Sequence, residues 1–273
     1  MPFTQRAGHS IHYQELGDRS GPPLLLIMGM GLSSRAWDTL PSRLAERFRV
    51  IVFDNRGTGR SGRAGWMYRM RDLAHDAVAV LDAVQVPRAD VFGISMGGMI
   101  AQELAIRHPD RVRRLALGAT FASWLRGHKP SLRTAIDLLL LVLQRQRVPA
   151  ELIGRLLVSP GFQAAHPTRT LDWMTRGEHA ELRCAAAQVA AILGHATLHR
   201  LGRIRAPTLV ITGDEDRLVP PRNSEVLAAG IPDARLVVLR GAGHVFPLER
   251  EEETVLALTE HFLGSDRMPA RAS

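Results

Sequence analysis

The chain has 273 residues, 45% hydrophobic and 23% charged, with a formal net charge of +8. That length and balance suit one α/β domain with an insertion, or two small domains, in a soluble globular protein. Arginine carries the positive balance, Lys129 being the only lysine; the arginines are scattered among acids, as in Arg43–Glu46 and Arg107–Asp110, which argues against a nucleic-acid surface.

His9 to Leu16 reads as an opening edge strand, closed by Gly17–Asp18–Arg19–Ser20–Gly21. Leu24–Leu25–Leu26–Ile27–Met28 is an uninterrupted apolar run, as in a strand buried on both faces, and it ends in Gly29–Met30–Gly31–Leu32–Ser33–Ser34. Trp37 to Arg47 is expected to be helical, Val50 to Phe53 a strand, and Leu73, Ala77, Val80, Leu81 and Val84 mark an amphipathic helix. Ala89 to Ile94 and Arg113 to Leu117 are further strands. Strands alternating with helices at this spacing predict a parallel sheet covered on both faces.

The rhythm breaks after Ala119. From Phe121 to about Arg205 the pattern is helical, with stretches Ser131–Arg147, Ala150–Leu157, Thr168–Arg176 and Glu178–Leu193 punctuated by Pro149, Pro160 and Pro167. The longest apolar run, Leu138 to Leu143, is too short to span a bilayer. Cys184 is the single cysteine, so no intrachain disulfide forms. With no basic-then-apolar leader at the N-terminus, the expectation is a cytoplasmic protein with neither membrane nor nucleic acid as partner. The sheet pattern then resumes at Thr208–Thr212, a helix Ser224–Ala229, a strand Ala234–Leu239 and a closing helix Glu249–Phe262, with Ser265–Ser273 expected as a frayed tail.

Chemistry concentrates at Gly93–Ile94–Ser95–Met96–Gly97, where a predicted strand turns directly into a predicted helix. Such a turn strains its central residue, lifts Ser95 clear of the sheet, and puts the Met96 N–H at a helix N-terminus. A serine hydroxyl needs a base, and the base an orienting acid. Of eleven histidines, only His244 directly follows a predicted core strand in a glycine-rich loop, Gly241–Ala242–Gly243–His244. Asp214 and Asp216 both follow the penultimate strand and are the candidates for the acid.

Four stretches taken together resemble α/β-hydrolase-fold serine hydrolases: Leu25–Leu26–Ile27–Met28–Gly29–Met30–Gly31, Asp54–Asn55–Arg56–Gly57–Thr58–Gly59–Arg60–Ser61, Gly93–Ile94–Ser95–Met96–Gly97–Gly98 and Gly243–His244. The resemblance covers nearly the whole chain and is to the esterase, cofactor-free haloperoxidase and enol-lactonase branch. It implies a mostly parallel central sheet with helices on both faces, a core of residues 1–120 and 206–273, and a helical cap of residues 121–205. It places the acid at Asp216, the last residue of Gly213–Asp214–Glu215–Asp216, and the oxyanion hole at the backbone N–H groups of Met30 and Met96. It implies no metal and no cofactor. The family commonly has His-Gly where this chain has Met28–Gly29; main-chain donors do not require that histidine.

Serine at the elbow differs from the aspartate of haloalkane dehalogenases and epoxide hydrolases. Val245 stands where ring-cleavage C–C hydrolases typically carry tryptophan. The expected activity is hydrolysis of a carboxylic ester through an acyl-serine, with a lactonase, a perhydrolase or a non-turnover ligand receptor as alternatives. The substrate is expected to be an uncharged or weakly polar small-molecule ester with a short to medium acyl chain. Trp37, Leu139 and Trp173 are expected to bind it, with Met28, Met30, Leu32 and Met96 as further walls.

Overall fold

Ala7 and Gly8 both have positive φ, 49° and 78°, the signature of a two-residue hairpin turn whose twist matches its strands. They join β1 (Phe3–Arg6) to β2 (His9–Leu16) as an antiparallel pair. The edge is therefore β1, and the expected edge strand His9–Leu16 is its inner neighbour. An alanine in a left-handed turn gave no hairpin signal in the sequence. The computed structural model describes residues 2–62, 65, 67–144, 150–176 and 180–264.

The remaining strands are β3 (Pro23–Ile27), β4 (Arg49–Phe53), β5 (Ala89–Ile94), β6 (Val112–Gly118), β7 (Thr208–Gly213) and β8 (Ala234–Leu239). Together they make an eight-stranded sheet in the order β1-β2-β4-β3-β5-β6-β7-β8, parallel from β4 to β8. Alternation along each strand divides the core in two. Leu25, Ile27, Ile51, Phe53 and Val91 pack with α2 (Met70–Ala83 by range, with α1 being Leu40–Leu44) and α3 (Met96–Arg107). Leu24, Leu26, Val50, Val52 and Phe92 face the other way, toward α1 and the C-terminal helix.

Among the described residues, five α-helices lie between β6 and β7, α4 (Leu132–Gln144), α5 (Ala150–Leu157), α6 (Pro160–Ala165), α7 (Arg169–Arg176) and α8 (Leu182–Leu193), followed by a 3₁₀ helix over Leu198–Arg203. The sequence suggested four. Short α6 was missed; it opens on Pro160, and the Ser159 hydroxyl accepts the Phe162 N–H at 3.2 Å as its N-cap. The ends of the expected helices at 145–147 and 178–179, and the expected tail 265–273, fall outside the described residues. After β7 come α9 (Arg222–Gly230), α10 (Phe246–Glu249) and α11 (Glu251–Leu263).

Two expected helices are broken by local chemistry. Instead of one helix from Trp37 to Arg47 there is a 3₁₀ turn over Ser34–Trp37, a kink at Asp38 with φ 53°, and α1, with Pro41 in its first turn. Proline belongs at a helix start, so the helix begins there. The closing helix is divided at Arg250, whose φ of −132° and ψ of 56° are not helical. Among the surface arginines, Arg43 pairs as expected with Glu46 and also with Glu252, but Arg107 turns back one helical turn to Glu103 at 2.7 Å rather than to Asp110. Among the described residues no helix is long and apolar enough to cross a membrane.

Candidate active site

Strand β5 ends at Ile94 and α3 starts at Met96, leaving a single residue for the change of direction. Ser95 takes it with φ 55° and ψ −120°, a conformation that costs on the order of 1–3 kcal/mol for a non-glycine residue. The surroundings over-determine it. The Ser95 N–H donates to the Gly118 carbonyl at 2.8 Å, and the Thr120 hydroxyl donates to the Ser95 carbonyl at 2.7 Å. A Cβ at Gly93 would lie 2.2 Å from the Gly97 carbonyl oxygen, and one at Gly97 would lie 1.9 Å from that of Ile27. Both positions admit glycine alone. As the first residue of α3, Met96 has an N–H with no intrahelical partner.

The loop after β3 runs beside the serine: a Cβ added to Gly29 would sit 3.3 Å from Ser95 Cβ. It is clamped from two sides. Asn55 Nδ2 donates to the Met28 carbonyl at 3.0 Å, and the Asp54 carboxylate accepts the N–H groups of Ser34 at 2.7 Å and Arg60 at 3.0 Å. This gives the Asp54–Ser61 stretch a physical role: it holds the loop that carries Met30. From the other side, the Gly31 N–H donates to Gln188 Oε1 on α8 at 2.7 Å, and the Gly31 carbonyl accepts the Ala180 N–H at 3.0 Å. Gln188 has no distinguishing sequence signal; with Arg183 it is one of two strongly polar residues on α8.

Asp216 and His244 meet at the other end of the site. His244 Nδ1 is 2.8 Å from Asp216 Oδ2, with both residues buried. The second carboxylate oxygen of Asp216 accepts the N–H groups of Leu218 and Val219 at 2.9 and 2.8 Å, which fixes its orientation. Asp214 instead accepts the Gly241 N–H at 2.7 Å and closes the turn after β8.

A group missed in the sequence lies beneath the histidine loop. Glu249 is buried; its two oxygens accept the Gly243 N–H at 2.8 Å and the Ser159 N–H at 2.9 Å. Burial pushes its carboxyl above the usual range, and the N–H donors pull back against that. The Val245 N–H donates to the Leu157 carbonyl at 2.9 Å, and a Cβ at Gly243 would lie 2.6 Å from the carbonyl carbon of Val158. The α5–α6 junction thus lies directly against the loop that carries His244. His195, also buried, is held neutral, its pKa lowered by burial to about 4, and sits among Gln102 and Thr197 away from Ser95 and His244 in this hydrogen-bond network.

Ser95 and His244 line one cavity of about 910 Å³, at the large end for a small-molecule site. Its walls are mostly apolar and come from both the sheet loops and the insertion: Met28, Met30, Leu32 and Trp37 from the former, Leu138, Ile153, Trp173 and Ile192 from the latter. Trp173 also donates its ring N–H to the Ala36 carbonyl at 2.8 Å. The Leu139 side chain lies outside the described residues. Met96 is not a wall, contrary to expectation; its side chain is fully buried in the core with α2 and α3, and its backbone alone is available to the site. Arg169 is the one arginine or lysine among the described lining residues, and Asp38 engages it at 2.6 Å.

A family model described as serine aminopeptidase, S33, matches residues 22–251. A putative carbamate hydrolase RutD of Azorhizobium caulinodans is 33% identical over 90% of this chain and 92% of its own length. The rhodomycin D methylesterase DauP of Streptomyces sp. is 32% identical, with the same two coverages of 90% and 92%. Among solved structures, the enol-lactonase from Burkholderia xenovorans LB400 superposes with a TM-score of 0.84 at 26% identity, covering 96% of this chain and 99% of that one.

Proposed function

The chain belongs to the α/β-hydrolase family and is a hydrolase of that fold, and on that premise we propose that it cleaves carboxylic esters through an acyl-serine formed on Ser95. One observation carries the reading: a serine held at φ 55° on a strand-to-helix elbow shares a cavity with His244, whose Nδ1 is 2.8 Å from the buried Asp216 carboxylate. In this reading His244 takes the Ser95 proton as the oxygen attacks the ester carbonyl. Asp216 holds His244 in the tautomer that leaves its other ring nitrogen free to accept that proton. The N–H groups of Met30 and Met96 receive the developing oxyanion, each worth about 10²–10³ in rate. His244 returns the proton to the departing alcohol. It then takes one from water, whose oxygen attacks the acyl-serine, and returns that proton to Ser95 Oγ as the acyl–oxygen bond breaks and the acid leaves.

Residues 121–205 act as the cap that roofs the pocket over the core of 1–120 and 206–273. The cavity favours a neutral, apolar ester, since a charged acyl group would need a buried counter-ion and Arg169 is already engaged by Asp38. Its size accommodates an acid or alcohol bulkier than a short chain. Each added methylene should gain up to about 0.8 kcal/mol until the space is filled.

The likeness to a protein named as a putative carbamate hydrolase supports a second reading, in which the attacked carbonyl belongs to a carbamate. One panel separates the two: kcat/KM for p-nitrophenyl esters from acetate to dodecanoate, matched carboxylate-bearing esters, a lactone and a carbamate, with turnovers counted. The expected result is rapid multiple turnover that rises from acetate to a medium-chain optimum. A strong preference for the carbamate or for the carboxylate-bearing esters would overturn the neutral-ester reading, and a single slow turnover would point to a receptor.

A further inference from the structure

Helix α4 is apolar on two sides. Ala135 and Leu138 line the cavity. Next to Ala135 around the helix, Leu132, Ile136 and Leu140 repeat at four-residue spacing and meet solvent, with exposures of 78%, 50% and 36%. Leu125, in the segment leading into the helix, is 85% exposed. Single exposed leucines are ordinary, but a run of them in helical register marks a contact surface.

The charges beside this stripe have one sign. Arg126, Lys129 and Arg133 are exposed around it. The only acid between residues 121 and 144 is Asp137, which is buried and engaged by Arg155 through two contacts of 2.9 and 3.1 Å. The stripe also adjoins the cavity wall, because Ala135, beside it on the helix, both lines the cavity and is exposed.

We propose that this face docks on an anionic lipid surface. Leu125, Leu132, Ile136 and Leu140 enter the acyl boundary, and Arg126, Lys129 and Arg133 meet the headgroups. The cavity wall at Ala135 then lies next to the lipid, which brings a lipid-dissolved neutral ester close to the pocket that holds Ser95. A second copy of the chain is a poorer occupant, since a symmetric contact here would set the three cations against their own equivalents. The inference departs from the expectation of no membrane partner, which rested on the lack of a spanning segment; a docking face needs no span. The docking stands apart from the chemistry, while the delivery of an ester rests on the hydrolase reading above.

Cosedimentation of the full chain with vesicles tests it, using phosphatidylcholine alone and phosphatidylcholine mixed with phosphatidylglycerol. Binding is expected on the mixed vesicles, falling as salt rises. Ser95→Ala should bind like the parent, which separates docking from catalysis. Arg126→Ser and Arg133→Ser should each weaken binding about fivefold, and the pair Leu132→Ser with Ile136→Ser at least about tenfold. All of these surface variants should keep the parental circular dichroism and turnover of a soluble ester. Absence of binding to mixed vesicles at low salt, or unchanged binding by the Leu132→Ser/Ile136→Ser variant, would overturn the proposal. So would a lipid-free dimer that this variant dissolves, which would make the face an interface between copies.

Discussion

In the sheet, the three side chains proposed to react leave the C-terminal ends of β5, β7 and β8, where an open α/β sheet presents its ligands. In the helical insertion none of them does, yet its groups grip the loops that carry the chemistry. Gln188 and Ala180 hold Gly31, the Leu157 carbonyl holds Val245, and the Ser159 N–H meets Glu249 beneath Gly243. In the proposed mechanism the sheet supplies reactivity; the insertion supplies cavity walls and also holds the loops. Simple removal of 121–205 would therefore strip bonds from the site as well as the roof from the pocket. The difference teaches that a residue far away in sequence, such as Gln188, can hold the loop beside Ser95 through a single backbone contact at Gly31.

The largest effect that sharpens this contrast lies on the sheet side. Asp216→Asn should lower kcat by about 10³–10⁴: its oxygen is kept toward the Leu218 and Val219 N–H groups, so its NH2 faces His244 Nδ1 and leaves the ring in the wrong tautomer. Asp214→Asn keeps an oxygen that can accept the Gly241 N–H and loses only the charge-assisted part of that turn contact, at no more than about 1 kcal/mol of stability, and should leave turnover close to that of the parent. Steady-state kinetics with matched denaturation curves checks both, and the opposite ranking would move the acid to Asp214.

Smaller effects should come from the braces between the insertion and the core loops, Glu249 on the core side and Gln188 on the insertion side. Glu249→Ala leaves the Gly243 and Ser159 N–H groups buried without their acceptor and should destabilise by about 2–4 kcal/mol. Its activity loss, about tenfold, should fall on kcat rather than KM, with Glu249→Gln partly restoring it. Gln188→Ala should lower kcat by a similar or smaller factor through Gly31. If both variants changed KM alone, the insertion would be only a wall, and the two regions would divide the work more cleanly than the hydrogen bonds indicate.

The elbow was legible in the sequence because its constraint is local: Gly93 and Gly97 flank Ser95, and a strand and a helix abut it. His244 and Asp216 were legible through their position after core strands together with the family resemblance. The braces were not, because Glu249, Gln188 and Ser159 act on partners distant in sequence or through single backbone contacts that leave no periodic trace. The hairpin at Ala7–Gly8 escaped for a different reason: Ala7 adopts the left-handed conformation that a sequence reader assigns to glycine or asparagine. In the insertion, hydrophobic periodicity revealed helices but not their number, since the six-residue α6 is too short for a period to register.

The central claim is that Ser95 is the nucleophile of a turning-over hydrolase. Its most direct measurement is the intact mass and peptide map of the protein after reaction with a fluorophosphonate, made on the parent and on Ser95→Ala alongside ester turnover. The account predicts one adduct per chain on the peptide carrying Ser95, with neither adduct nor turnover above background in a folded Ser95→Ala protein. An adduct on another residue, or appreciable ester hydrolysis by Ser95→Ala, would contradict it.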